Sequence, residues 1–135
     1  MLRPSRRLLR LFPLALLLAL SSCAGRLLSR AREAERVGAH YEAERLYKEL
    51  YKSTPTKERK RRALYSLHAA EAAYRGRRYA TARALLQRAQ RLHLPDSLLR
   101  KSKLYTTLST EALQAEDSSP QGLYEVERFD RLRST

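Results

Sequence analysis

The sequence predicts an all-α protein, a short array of about five helices arranged as hairpins. Three observations carry that prediction. Ala, Leu, Arg and Glu, all good helix formers, dominate a chain of 135 residues with only four glycines. Apolar residues recur at helical spacing over several stretches, and glycine or proline separates the stretches. The pattern then returns 39 residues later, as expected of a unit that buries its stripe by stacking on a copy of itself.

Residues 1–22 contain Arg3, Arg6, Arg7 and Arg10 and no acid, and end in ten apolar or proline positions from Leu11 to Leu20. A membrane-spanning helix needs about 20 apolar residues, so the run is too short to span and reads as a signal segment with its arginines held on the cytoplasmic side. Residues 23–26 form a tether, and residues 27–116 carry the helical repeats. Leu27, Leu28, Ala31, Ala34 and Val37 give a thin apolar stripe with Ser29 as candidate N-cap, and Gly38 ends it. Ala43, Leu46, Tyr47, Leu50 and Tyr51 then repeat at i, i+3, i+4, i+7 and i+8, the best amphipathic signal in the chain.

Ser53-Thr54-Pro55-Thr56 is a turn, because Pro55 cannot continue a helix and biases Thr54 to extended geometry. Ala63, Leu64, Leu67, Ala70, Ala73 and Tyr74 line the next helix, which Gly76 closes. Tyr79, Ala82, Leu85, Leu86, Ala89 and Leu92 line the fourth. Pro95 stops it and Asp96 is offered as N-cap of a fifth, which Leu98, Leu104, Tyr105, Leu108, Ala112 and Leu113 support to about Glu116. Residues 117–135 read as a linker and a weakly amphipathic tail.

Leu20-Ser21-Ser22-Cys23 resembles the lipobox of bacterial lipoproteins. The resemblance implies peptidase recognition of Leu20, Ser21 and Ser22, with a diacylglyceryl group and an N-acyl chain on Cys23. Small serines leave room around the scissile backbone, and a thiolate is the strongest nucleophile among ordinary side chains. Two or more chains anchor stably, at about 0.8 kcal/mol for each buried methylene. Ala24 follows the cysteine where the enterobacterial sorting rule would read an aspartate, which implies the outer membrane, on its periplasmic face.

Laid over each other with Ala43 on Ala82, the two copies place Ala31 on Ala70, Ala34 on Ala73 and Leu50 on Ala89. Gly38, His40, Ala43, Tyr47, Leu50 and Pro55, with Tyr79, Ala82, Leu86 and Ala89 in the second copy, resemble the tetratricopeptide repeat. In the second copy Gly76 stands one residue early and Pro95 one late. The string from Gly38 to Tyr47 also resembles the opening repeat of OmpA-type lipoproteins of the type IX secretion and gliding apparatus. The chain also resembles the repeat lipoprotein of the β-barrel assembly machine. In tetratricopeptide proteins the first helix of each pair lines a partner groove. By position this implies Arg32, Glu35 and Arg36, then Glu71, Tyr74 and Arg75, with Tyr74 equally suited to packing.

Beyond residue 22 the chain keeps 24 of its 28 Lys and Arg against 14 acids, a net charge of +10, and Cys23 is its only cysteine. Such a field attracts anionic partners, and export excludes nucleic acid among them. Lys57, Arg59, Lys60, Arg61 and Arg62 form one basic cluster, and Arg77 with Arg78 extends a second. Each reads either as a solvated turn or as a contact with an anionic surface. His40, His68 and His93 lie on separate segments with no i, i+4 pair, and no phosphate loop, metalloprotease motif or nucleophile elbow is present. The expectation is thus a non-enzymatic scaffold without metal or cofactor, tethered by lipid and joining envelope proteins. The alternative is a basic lipoprotein contacting anionic lipid or lipopolysaccharide. About two and a half repeats leave one end uncovered, which a partner, a second copy or the fifth helix would close.

Overall fold

The computed structural model describes residues 6–118, with side chains from Cys23 onward and at Pro13 and Leu16. The side chains of Leu20, Ser21 and Ser22, and residues 119–135 of the linker and tail, lie outside the described residues. The fold is all-α. Among the described residues five helices follow one another: α1 (Arg6–Arg36), α2 (His40–Ser53), α3 (Arg59–Arg75), α4 (Tyr79–Arg91) and α5 (Asp96–Asp117). No strand occurs among the described residues.

Each helix packs on its neighbours in the chain, and α3 also reaches α5. Connections of three to five residues between packed helices force successive helices to run antiparallel. The array therefore has two ends. One carries the 37–39 and 76–78 turns, and the other the 54–58 and 92–95 turns.

The 39-residue repeat is written into the backbone. α1 ends at Arg36 and α3 at Arg75, and α2 begins at His40 and α4 at Tyr79. The amides of Ala39 and Arg78 bond to the carbonyls of Ala34 and Ala73, and those of Ala43 and Ala82 to Ala39 and Arg78. Alanine pairs 31/70, 34/73 and 43/82 are all buried, as are Leu46/Leu85 and Leu50/Ala89. Small side chains let the helix axes approach, and Leu46, Tyr47, Leu67 and Leu86 fill the space left between them. Ser102 and Ser109 of α5, both fully buried, occupy the register of Ala63 and Ala70, so α5 repeats the packing face of α3.

Two local expectations need correction. Ser29 is not an N-cap: α1 runs unbroken through Cys23 and Ser29, because between Leu20 and Arg36 only Gly25 disfavours a helix, by about 1 kcal/mol. Asp96 opens α5 from inside the helix, since the extended Pro95 (φ −55°, ψ 150°) already occupies the cap position. Gly76 closes α3, as expected, and stands one residue early: the left-handed residue of that turn is Arg77 (φ 60°), the counterpart of Gly38 (φ 75°). Gly76 serves a different need. A Cβ there would lie 3.4 Å from the Cβ of His40, where the two turns meet.

Candidate functional site

The residues expected to line a groove sit on α1 and α3, and α5 continues the row. Glu35 of α1 accepts a 2.7 Å hydrogen bond from the Tyr47 hydroxyl, rising from α2 beneath. His68 of α3 places Nδ1 3.6 Å from Glu35 and stacks on the Tyr47 ring, with centroids 4.9 Å apart. Glu71, one turn further along α3, is buried at 4 % exposure, and Lys101 of α5 puts Nζ 2.7 Å from its carboxylate. Carboxylates thus bridge α1 to α3 and α3 to α5. Burial, and then the hydrogen bond and charge of Glu35, push the Tyr47 pKa well above its ordinary value.

Not every expected groove residue joins this row. Arg32 is exposed and near enough to Tyr47 to oppose that shift. Arg36 turns back to Glu33 through bonds of 2.9 and 2.6 Å and holds that carboxyl below the usual range. Tyr74 takes the packing role, edge-on to Tyr79 and Tyr105 at centroid distances of 5.4 and 5.3 Å. Arg75 is exposed at the end of α3, where a cation complements the helix dipole.

The two basic clusters do not form one surface. Lys57 to Arg62 sit at the start of α3, while Arg77 and Arg78 follow its end, about 24 Å away at 1.5 Å per residue. Arg78 is already engaged: with Lys48 it clamps the carboxylate of Glu44, a side chain only 2 % exposed. At the Lys57 end, an open cleft of about 660 Å³ is lined by Lys57, Glu58, Arg59, Lys60, Arg61 and His93. Arg59 donates to the Arg91 carbonyl at 3.1 Å, joining this cleft to the end of α4.

Beside the cleft, Arg62 of α3 and Arg88 of α4 both rest on the ring of Tyr51, with guanidinium carbons 4.2 and 3.6 Å from its centroid. Arg88 Nε also donates to Ser66 Oγ at 3.0 Å, which in turn donates to the Leu85 carbonyl. Burial first, with the like charge of Arg62, lowers the Arg88 pKa. Cys23 is exposed on α1, at the level of Arg62 by the 39-residue register.

Comparison with protein-family models, curated proteins and solved structures gave no match. No group of three or more His, Cys, Asp or Glu among the described residues could hold a metal ion. No described helix is long and apolar enough to cross a membrane.

Sequence reasoning missed Tyr51, Arg88, Glu44 and Lys101 as members of these clusters. Tyr51 was visible as the last member of the α2 stripe, but nothing in the local pattern shows that two arginines from other helices meet on it. Glu44 follows a core alanine, and only the return of the chain through the 76–78 turn brings Arg78 to it.

Proposed function

We propose that the protein is a lipid-anchored helical-repeat adaptor, held by Cys23 on the periplasmic face of the outer membrane and joining components of an envelope assembly. The row Glu35–Tyr47–His68 with Glu71–Lys101 carries this reading. It ties three successive odd-numbered helices together through buried Tyr47 and Glu71. That fixes a face on which part-exposed Glu35 and His68 stand beside exposed Arg32, an aromatic and charged mixture that suits peptide recognition. The lipobox resemblance at Leu20–Cys23 supports the tether, and the repeat pattern supports the scaffold role. On this reading residues 1–22 are removed as a signal, and residues 23–36 of α1 keep its buried positions Ala31 and Ala34. The partners are envelope proteins and the membrane; the reading needs no cofactor beyond the acyl chains.

A photo-crosslinker at Arg32 in the full chain, in its native envelope, tests the groove. A discrete adduct that disappears with Glu35→Lys is expected; labelling that is diffuse, or unchanged by Glu35→Lys, would count against a groove-bound partner. The anchor is tested separately with a palmitate analogue, which should label the wild-type chain and not Cys23→Ser. Equal labelling of both would remove the tether from the proposal.

A further inference from the structure

The net charge of this protein is polarised along its helix axes. At the end bearing the 54–58 and 92–95 turns, residues 49–62 and 88–103 hold eleven Lys and Arg against three acids. The remaining described residues from Arg30 to Ser118, with Lys48 held against Glu44 beside the opposite turn, hold nine basic and eight acidic residues. Most of the +10 therefore sits on one end, the end on which Cys23 lies. Nothing in the packing requires this, because most of these side chains are exposed or half-buried.

At the heart of that end, Arg62 and Arg88 share the Tyr51 ring with no carboxylate within ion-pair distance among the described residues. Several other arginines are paired: Arg36 with Glu33, Arg45 with Glu42 and Glu49, Arg78 with Glu44. Arg62 Nε and Arg88 Nη2 are buried and lack hydrogen-bond acceptors, so the pair is short of counter-charge as well as of partners. Both side chains remain part-exposed, which leaves them reachable from solvent. The Tyr51 ring fixes two planar guanidinium groups, the donors best shaped for phosphate oxygens.

We propose that this basic end is a docking surface for the phosphate headgroups of anionic membrane lipids, with Arg62 and Arg88 on Tyr51 as its phosphate-binding pair and the Lys57–Arg61 cleft as its rim. The surface would stand the helices upright on the bilayer and turn the 37–39 and 76–78 turns away from it. Docking is independent of whether the groove binds a peptide, and it needs no acylation of Cys23, although an anchor at the same level would reinforce it. Each basic residue near an anionic surface strengthens binding by roughly fivefold, and the effect is screened by salt.

The full chain carrying Cys23→Ser, mixed with vesicles of phosphatidylcholine alone or with added phosphatidylglycerol, gives the test. The expected result is a preference for the anionic vesicles that falls roughly twenty-fivefold in Arg62→Gln/Arg88→Gln, with the helical circular dichroism spectrum kept. The variant Arg75→Gln/Arg77→Gln removes the same charge from the opposite end and should keep most of that preference. Equal losses in the two variants would overturn the proposal, since they would mean that net charge alone acts. So would a phosphatidylglycerol preference untouched by Arg62→Gln/Arg88→Gln. If inorganic phosphate raises the melting temperature while no lipid preference exists, the pair serves a free anion and the membrane assignment fails. A fluorophore on Ser97→Cys should be quenched by brominated lipid and one on Ser118→Cys should not; the reverse pattern would also overturn it.

Discussion

Tyr47 is 1 % exposed and the largest fully buried side chain among the described residues, yet its hydroxyl is hydrogen-bonded to Glu35 on the neighbouring helix. A raised pKa in the fold means that folding favours the protonated phenol. Its contribution to stability is complete below the unfolded value of about 10 and is lost as pH climbs from there toward the higher folded value. Denaturant unfolding between about pH 8 and about pH 11 should show a loss of stability that is shallower in Tyr47→Phe. Near neutral pH the same variant should cost about 1 kcal/mol, the usual worth of one hydrogen bond. An alkaline slope identical in both proteins would assign it to other groups. Glu44 makes a second residue-scale case. Its carboxylate is buried while Lys48 and Arg78, which clamp it, are part-exposed. Glu44→Gln should therefore cost about 1–3 kcal/mol, read as a lower urea midpoint, because the freed cations can hydrate but the link from α2 to the 76–78 turn is gone. Tyr47 was legible as a core position from spacing alone. Its bond to Glu35, and the arrival of Arg78 on Glu44, were not, because each partner comes from a distant segment of the chain.

The helices were legible because their stripes alternate with strong breakers; the start of α1 at Ser29 failed, and the two glycine breakers have different uses. Gly38 and Gly76 look like equivalent stop signals one residue out of register. In the structure the left-handed position of the second turn falls on Arg77, and Gly76 keeps an ordinary φ of −78° while the Cβ of His40 packs against it. One sequence letter thus stands for two physical demands: backbone freedom at 38 and close approach at 76. The difference makes a set of substitutions diagnostic. Gly38→Ala should destabilise by about 1 kcal/mol, since a Cβ in the left-handed region is strained even with open space around it. Arg77→Gly should stabilise by about 0.5 kcal/mol, as relief of the same strain outweighs the entropy of a new glycine. Gly76→Ala should be close to neutral, its new methyl in ordinary contact with His40 and the Ala72 carbonyl. Melting temperatures of the three variants check the order. If Gly76→Ala is the most damaging, the contact between the turns is tighter than its 3.4 Å separation implies.

At the scale of the whole molecule the repeat makes residues equivalent in register but not in surroundings. Ala31 and Ala70 are both fully buried and 39 residues apart. Ala70 lies on α3, which packs on α2, α4 and α5, whereas Ala31 lies on α1, whose principal partner is α2. A glutamate buried without a partner costs several kcal/mol, a large share of the roughly 5–15 kcal/mol that stabilises a domain of this size. On α3 that penalty can be escaped only by breaking every interface at the centre of the array. On α1 it can be escaped by releasing one terminal helix, because stacked arrays hold together through nearest-neighbour contacts. Ala70→Glu should therefore abolish the folded state. Ala31→Glu should lose only the helical signal of α1 and leave α2 to α5 assembled, with the Tyr74–Tyr105 contact intact. Circular dichroism separates the two, and hydrogen exchange locates the loss: amides of α3 and α4 should stay protected in Ala31→Glu and exchange freely in Ala70→Glu. Complete unfolding in both would instead make the five helices one all-or-none unit. In that case α1, and with it the level at which Cys23 is held, is as essential to the fold as the central hairpin.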